Sequence, residues 1–165
     1  MIFIGIDPGQ TGAVAWIQSG EIVGNFGVID APILTVEKNK SIRHEMDRVG
    51  MARIVEDIKS LVAPMSRIVA AVERVHSMPE QGVASSFSFG MGYGIWLGIL
   101  AAFEIPVDLV HPTRWKKVMM DGMGKEKQAS MVRAKELFPT AELSLKKHHG
   151  RADALLIAEY RRRLG

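Results

Sequence analysis

No cysteine occurs among the 165 residues. A disulfide frame and a thiolate zinc site are therefore both excluded, and any metal must be held by oxygen or imidazole ligands, which favours Mg²⁺ or Mn²⁺. The N-terminus lacks the basic region, apolar core and small-residue cleavage site of a signal peptide, because charge and turn residues arrive by Asp7; a cytoplasmic location is expected. No large charge excess of either sign is present: the net charge is +3 and the pI about 9.3. The positives nevertheless cluster, as KNKSIRH at 38–44, RWKK at 114–117 and RRR at 161–163, which suits an anionic polymer as partner. With 47% hydrophobic residues the chain can build a core of its own, and one domain spanning 1–165 is expected.

Charge is also absent from Gly82 to Phe103, a run long enough for a membrane span, with Gly90, Gly94 and Gly98 at G-x-x-x-G spacing. Ser85, Ser86 and Ser88 interrupt it and it lies between two strand patterns, so it reads as a helix buried on all sides, with no membrane involved. Each helical glycine costs roughly 1 kcal/mol against alanine. Three in register imply close approach of another backbone, either the sheet or a second copy of the same helix.

The opening stretch MIFIGIDPGQTGAVA organises the rest. Ile2, Phe3, Ile4 and Ile6 form an apolar run typical of a strand covered on both faces, and Asp7 ends it. Pro8 and Gly9 turn the chain into a second strand, and Glu21 to Ile29 supplies a third, giving an antiparallel meander. Two roles are open to Asp7: capping the turn through backbone N–H groups, or serving a metal or phosphate site.

Residues 30–47 carry little periodicity and read as a surface connection. Met51, Ile54, Val55, Ile58, Leu61 and Val62 mark an amphipathic helix that Pro64 stops. Ile68 to Val72 is a fourth strand, parallel to the first after this crossover, so Asp7 and Glu73 fall at the same edge of the sheet. Taken alone, Glu73 reads rather as an ion pair with Arg74 or a nearby lysine; paired with Asp7 it reads as part of a site.

Val107 to Val110 forms a fifth strand, followed by a short helix from Pro112 through Met120 and another from Lys125 to Phe138. Residues 141–149 read as a loop, and Ala152 to Leu164 is the last helix. The arginines at 161–163 suit its negative end better than they suit DNA. Asp153 lies in the first turn, where it either offsets the helix dipole or joins the other acids. His149, four residues earlier, shares its face if the helix begins there. Three carboxylates and an imidazole at two strand ends and one helix repel one another unless divalent cations neutralise them, and paired cations on carboxylates serve in-line phosphodiester hydrolysis.

The segments GIDPGQTGA, VERVHSMP, SSFSFGMGYGIWLGILAA, VHPTRWKKVMM, GKEKQASMV and GRADALLIAEY, in this order over nearly the whole chain, resemble the RuvC family of Holliday-junction resolvases, especially short phage and prophage members. The resemblance implies an α/β, ribonuclease H-like fold: a mixed five-stranded sheet, antiparallel meander then parallel strands, with helices on both faces. It also implies a homodimer, about two Mg²⁺ ions per site, and paired nicks in four-way DNA, in a bacterial cell or phage-infected host. By that resemblance Asp7, Glu73 and Asp153 are the catalytic acids and metal ligands. The family carries an acid or histidine just upstream of the last acid, often three residues before, where this chain has Gly150; His149 takes that place here, with His148 as the alternative. Lys117 and Lys125 match basic family positions loosely as phosphate contacts. Arg114 and Lys116 in the same basic segment, with the segment around Lys38 to Arg43, would hold DNA arms.

Junction selectivity needs more than acids. Met78 and Pro79 in the loop RVHSMPEQG, and Phe87 at the start of the next helix, could wedge where stacking is already lost; Phe89 reads rather as core. Two other enzyme readings compete: an actin-like or sugar-kinase ATPase, for which the chain is too short, and an RNA-processing nuclease of the same fold. A junction binder without catalysis is the non-enzymatic alternative.

Overall fold

The computed structural model describes residues 1–19, 25–38, 41–64, 66–74, 82–124 and 128–165. Strand β1 (Ile2–Asp7) is buried on both faces along the whole of its apolar run. It pairs antiparallel with β2 (Ala13–Gln18), which pairs antiparallel with β3 (Phe26–Asp30), completing the expected meander. Residues 30–47 are not an irregular connection but a hairpin of β4 (Ile33–Lys38) and β5 (Ser41–Met46), forming a second, two-stranded sheet. Most of its side chains are exposed on both faces, so no alternation of apolar and polar residues betrayed it.

Helix α1 (Arg48–Ser60) starts three residues before its apolar pattern, because Asp47 caps it by accepting from the backbone N–H of Val49 at 3.1 Å and Gly50 at 3.0 Å. Met51, Ile54, Val55 and Ile58 are its buried stripe. It leads into β6 (Ile68–Glu73), which lies parallel to β1 with Ile6 opposite Val72. Helix α2 (Val83–Ala102) follows, then β7 (Val107–Val110), parallel to β6. The main sheet has the order β3-β2-β1-β6-β7. The remaining helices are α3 (Pro112–Met119), α4 (Ala129–Leu137) and α5 (His149–Arg163), with a single 3-10 turn at Lys146–His148 before the last. The expected start of α4 at Lys125 falls on residues outside those described.

Alternation along the strands divides the core in two. Ala13, Ala15, Ala71 and Val110 pack with Trp115, Met131, Ala134 and the inner face of α5 on one side. Ile2, Ile4, Ile6, Ala70 and Val72 pack with α1, Trp96 and Leu100 on the other. Helix α5 lies directly on β1: a Cβ at Gly5 would overlap the backbone of Ala154 and Ala158, so only glycine allows this approach.

Helix α2 overturns the expectation of burial on all sides. Among its residues only Gly92, Trp96 and Leu100 are buried, while Val83 is 87% and Phe87 74% exposed. The stripe Gly90, Gly94, Gly98 does not seat on the sheet: a Cβ at any of the three would meet nothing within 4 Å. The reason is helical geometry. Residues 92, 96 and 100 face the sheet, and a stripe offset by two residues points about 200° away. By length and apolarity α2 would suffice to cross a membrane.

Candidate active site at the sheet edge

The parallel pairing of β1 with β6 brings Asp7 and Glu73 to the ends of neighbouring strands at one sheet edge. The third acid arrives through a close contact. A Cβ at Gly150 would overlap the backbone of Thr11 and Gly12, so the first turn of α5 rests on the loop that follows Asp7. Asp153, one turn further, then faces the two strand-end carboxylates. The same contact explains why the position three residues before Asp153 is glycine: no side chain fits there.

Each acid has little to neutralise it. Asp7 accepts one long bond, 3.4 Å, from the Gly9 backbone N–H, so the capping role open to it is weakly filled. Burial, then the charges of Glu73 and Asp153, push the Asp7 carboxyl up from 3.8 to about 7. Glu73 is also raised by burial, although Trp115 Nε1 donates a hydrogen bond to its Oε1 at 3.0 Å and so favours the charged form. Burial raises Asp153 too, against a hydrogen bond from the Ser130 hydroxyl and the positive charges of Lys116 and His149. Its Oδ1 is buried with no hydrogen-bond partner among the described residues. An orphaned carboxylate oxygen costs desolvation energy with no return unless a cation or donor meets it.

Among the described residues, Lys116 is an ammonium whose field reaches all three acids. The sequence reading grouped it with the outward basic arm; it stands over the Trp115 ring, 5.1 Å from its centroid, beside the acids. Trp115 itself, fully buried, and Ser130 were not found from sequence. A tryptophan in a short helix reads as core, and nothing in its spacing tells where the indole N–H points.

The two histidines separate cleanly. His149 acts on Asp153. His148 is buried, its Nδ1 accepts from the Leu145 backbone N–H at 3.4 Å, and its field falls on Asp30 and Glu142. Of the expected DNA contacts, Phe87, Arg114 and Lys117 are exposed, whereas Met78 and Lys125 lie outside the described residues. Phe89 is half-buried against the Gly9 turn. The arginines at 161–163 are engaged within the chain: Arg161 with Asp108 at 2.7 Å, Arg162 and Arg163 with Glu159 at 2.6 and 2.9 Å.

Among the described residues no three Asp, Glu or His side chains stand close enough, in their present rotamers, to hold one ion together. The donor chemistry nevertheless suits a hard cation: three mutually repelling carboxylates, one with a bare buried oxygen and few compensating positives.

No protein-family model matches the chain. Over 85 residues, 50% of this chain and 10% of the relative, it is 38% identical to the chloroplastic Holliday junction resolvase MOC1 of Chlamydomonas reinhardtii. The chain thus spans about a tenth of the length of the curated relative it matches. Its fold matches that of RuvC from Thermus thermophilus in complex with a Holliday junction substrate, with TM-score 0.61 and 16% identity over 97% of this chain and 92% of that one. A second RuvC structure from the same organism gives TM-score 0.56 and 21% identity over 100% and 97%. The architecture is the ribonuclease H-like one of RuvC, as the sequence resemblance implied.

Proposed function

We propose that the chain is a structure-selective endonuclease that resolves four-way DNA junctions by metal-dependent phosphodiester hydrolysis. The observation that carries the reading is the convergence of Asp7, Glu73 and Asp153 at one sheet edge, under-neutralised and half-buried, within a RuvC fold. Asp7, Glu73 and Asp153 would hold Mg²⁺ or Mn²⁺, two ions per site, and such ions supply a hydroxide-like nucleophile and charge stabilisation of the leaving oxygen. Trp115 and Ser130 hold two of the carboxylates in place, and Lys116 offers positive charge to a phosphate brought to the acids. His149 orients water or a ligand beside Asp153.

Resolution cuts two strands symmetrically, so we infer a homodimer. The uncharged outer face of α2, open along Gly90, Gly94 and Gly98, supports this helix as the contact between copies. Exposed Phe87 at its start is a wedge for the unstacked junction centre.

The test is incubation with a synthetic four-way junction, a linear duplex and a structured RNA, each with Mg²⁺ and with chelator. Paired nicks confined to the junction and abolished by chelator are expected. Preferential cutting of the RNA would transfer the site to an RNA-processing role, and no metal-dependent cleavage of any substrate would overturn the enzyme reading.

A further inference from the structure

Across the sheet edge from the acids lies an open concavity of about 490 Å³, lined by Arg74, Leu109, His111, Thr113, Arg114 and Lys117. Strand alternation fixes its place. Glu73 and Val110 are paired and belong to the α5 side, so Arg74 and His111, one residue on, turn to the opposite face. The Arg74 backbone N–H still bonds the Val110 carbonyl at 2.8 Å, which holds the root of its side chain rigidly beside Glu73. Arg74, Arg114 and Lys117 make no ion pair among the described residues, in contrast to the arginines of α5 and to Arg133 and Arg151, which pair with Glu136 and Asp30. His111 Nδ1 stands 2.9 Å from the Thr113 hydroxyl oxygen, which fixes the ring at the rim of the concavity.

We propose that this concavity is a discrete phosphate seat: it holds one non-scissile phosphodiester of the strand being cut, a near neighbour of the linkage at the acids. Two guanidiniums and an ammonium converge where a polynucleotide crossing the sheet edge leaves Glu73, and guanidinium forks match phosphate oxygens. Sequence alone singled out Arg114 and Lys117 as diffuse basic contacts; the fold adds Arg74 and His111 and makes them one site. Such a seat fixes the strand's register over the acids, as positioning by phosphate contacts does elsewhere.

The proposal rests on the nuclease reading, and its test separates the two. Junctions carrying a single uncharged methylphosphonate at each of the three linkages on either side of the mapped cut are bound in chelator, where nothing is cleaved. The wild type is expected to lose roughly tenfold affinity at one linkage, about one charge-assisted contact. Arg74→Ala and Arg114→Ala should lose a similar amount on unmodified DNA and then be indifferent to methylphosphonate at that same linkage. Strictly additive losses, or no sensitive linkage among the six, would overturn the seat while leaving the nuclease reading intact. If another nucleic acid is cut instead of the junction, the parent reading falls and the same scan on that substrate decides the seat. If none is bound, both fall. The variants lie on the surface, and unchanged thermal unfolding verifies that they fold.

Discussion

Helix α5 carries two acids in contrasting company. Glu159, near its C-terminal end, is buried, which alone would raise its carboxyl, yet hydrogen bonds from Arg162 and Arg163 outweigh this and hold it below the usual range. Asp153, near the N-terminal end, faces two further carboxylates, keeps one oxygen bare and is raised. The same helix therefore satisfies one buried acid fully and leaves the other wanting. A carboxyl raised by burial beside other carboxylates, with no closing partner, marks a candidate functional site, whereas one closed in by arginines serves the fold.

The largest effect should come from breaking the poor end. Asp7→Asn is expected to lower junction cleavage at least 10³-fold, the scale of a lost electrostatic group, with junction binding intact or tighter, measured by product formation and gel shift. Undiminished nicking would remove Asp7 from the site.

Titration sharpens the contrast because the two ends respond with opposite sign. Asp7 has its carboxyl raised from 3.8 to about 7, so the folded state holds a proton that the unfolded state releases. In metal-free protein, stability from this group is full below about pH 4 and is lost as pH rises towards 7, by at most about 4 kcal/mol. Glu159, lowered, contributes stability above its ordinary value of 4.5 that is lost as pH falls. Thermal unfolding in chelator should thus show a loss between pH 4 and 7 that Asp7→Asn flattens and Glu159→Gln does not.

How much of this was legible beforehand follows from what each residue's signal depends on. Strand ends at Asp7 and Glu73 were readable because unbroken apolar runs stop at them, and their common edge followed from the crossover through α1. Gly150 was visible only as a departure from the family pattern; its contact with the Thr11–Gly12 backbone supplies the reason. The burial of α2 was misread because apolarity tells that a face is to be covered, not by what. The β4–β5 hairpin escaped because both its faces meet water, and Lys116 and Trp115 because side-chain direction in a short helix is set by the tertiary contact.

Trp115→Phe keeps the ring in the core and removes only the bond to Glu73. A loss of about tenfold in cleavage rate is expected, equivalent to roughly 1.4 kcal/mol, with little change in unfolding temperature; an unchanged rate would reduce Trp115 to packing. In chelator, Asp153→Asn should stabilise the protein by about 1 kcal/mol by removing a desolvated charge, whereas Glu159→Gln should destabilise it by about 1 kcal/mol, modest because both arginines are part-exposed. Equal signs in differential scanning calorimetry would erase the distinction between the two ends. The smallest effect separates the histidines: His149→Ala should slow cleavage a few-fold, roughly 0.5–1 kcal/mol, and His148→Ala should leave the rate alone.

The proposed function requires the under-neutralised end of α5 to bind divalent cations. Calorimetric titration of Mg²⁺ or Mn²⁺ into the metal-free protein measures this, with wild type, Asp153→Asn and Glu159→Gln side by side at pH 6 and pH 8. Saturable binding that releases protons, is tighter at pH 8, survives Glu159→Gln and is lost in Asp153→Asn is expected. Absence of saturable binding in the wild type, or equal binding by Asp153→Asn, would contradict it.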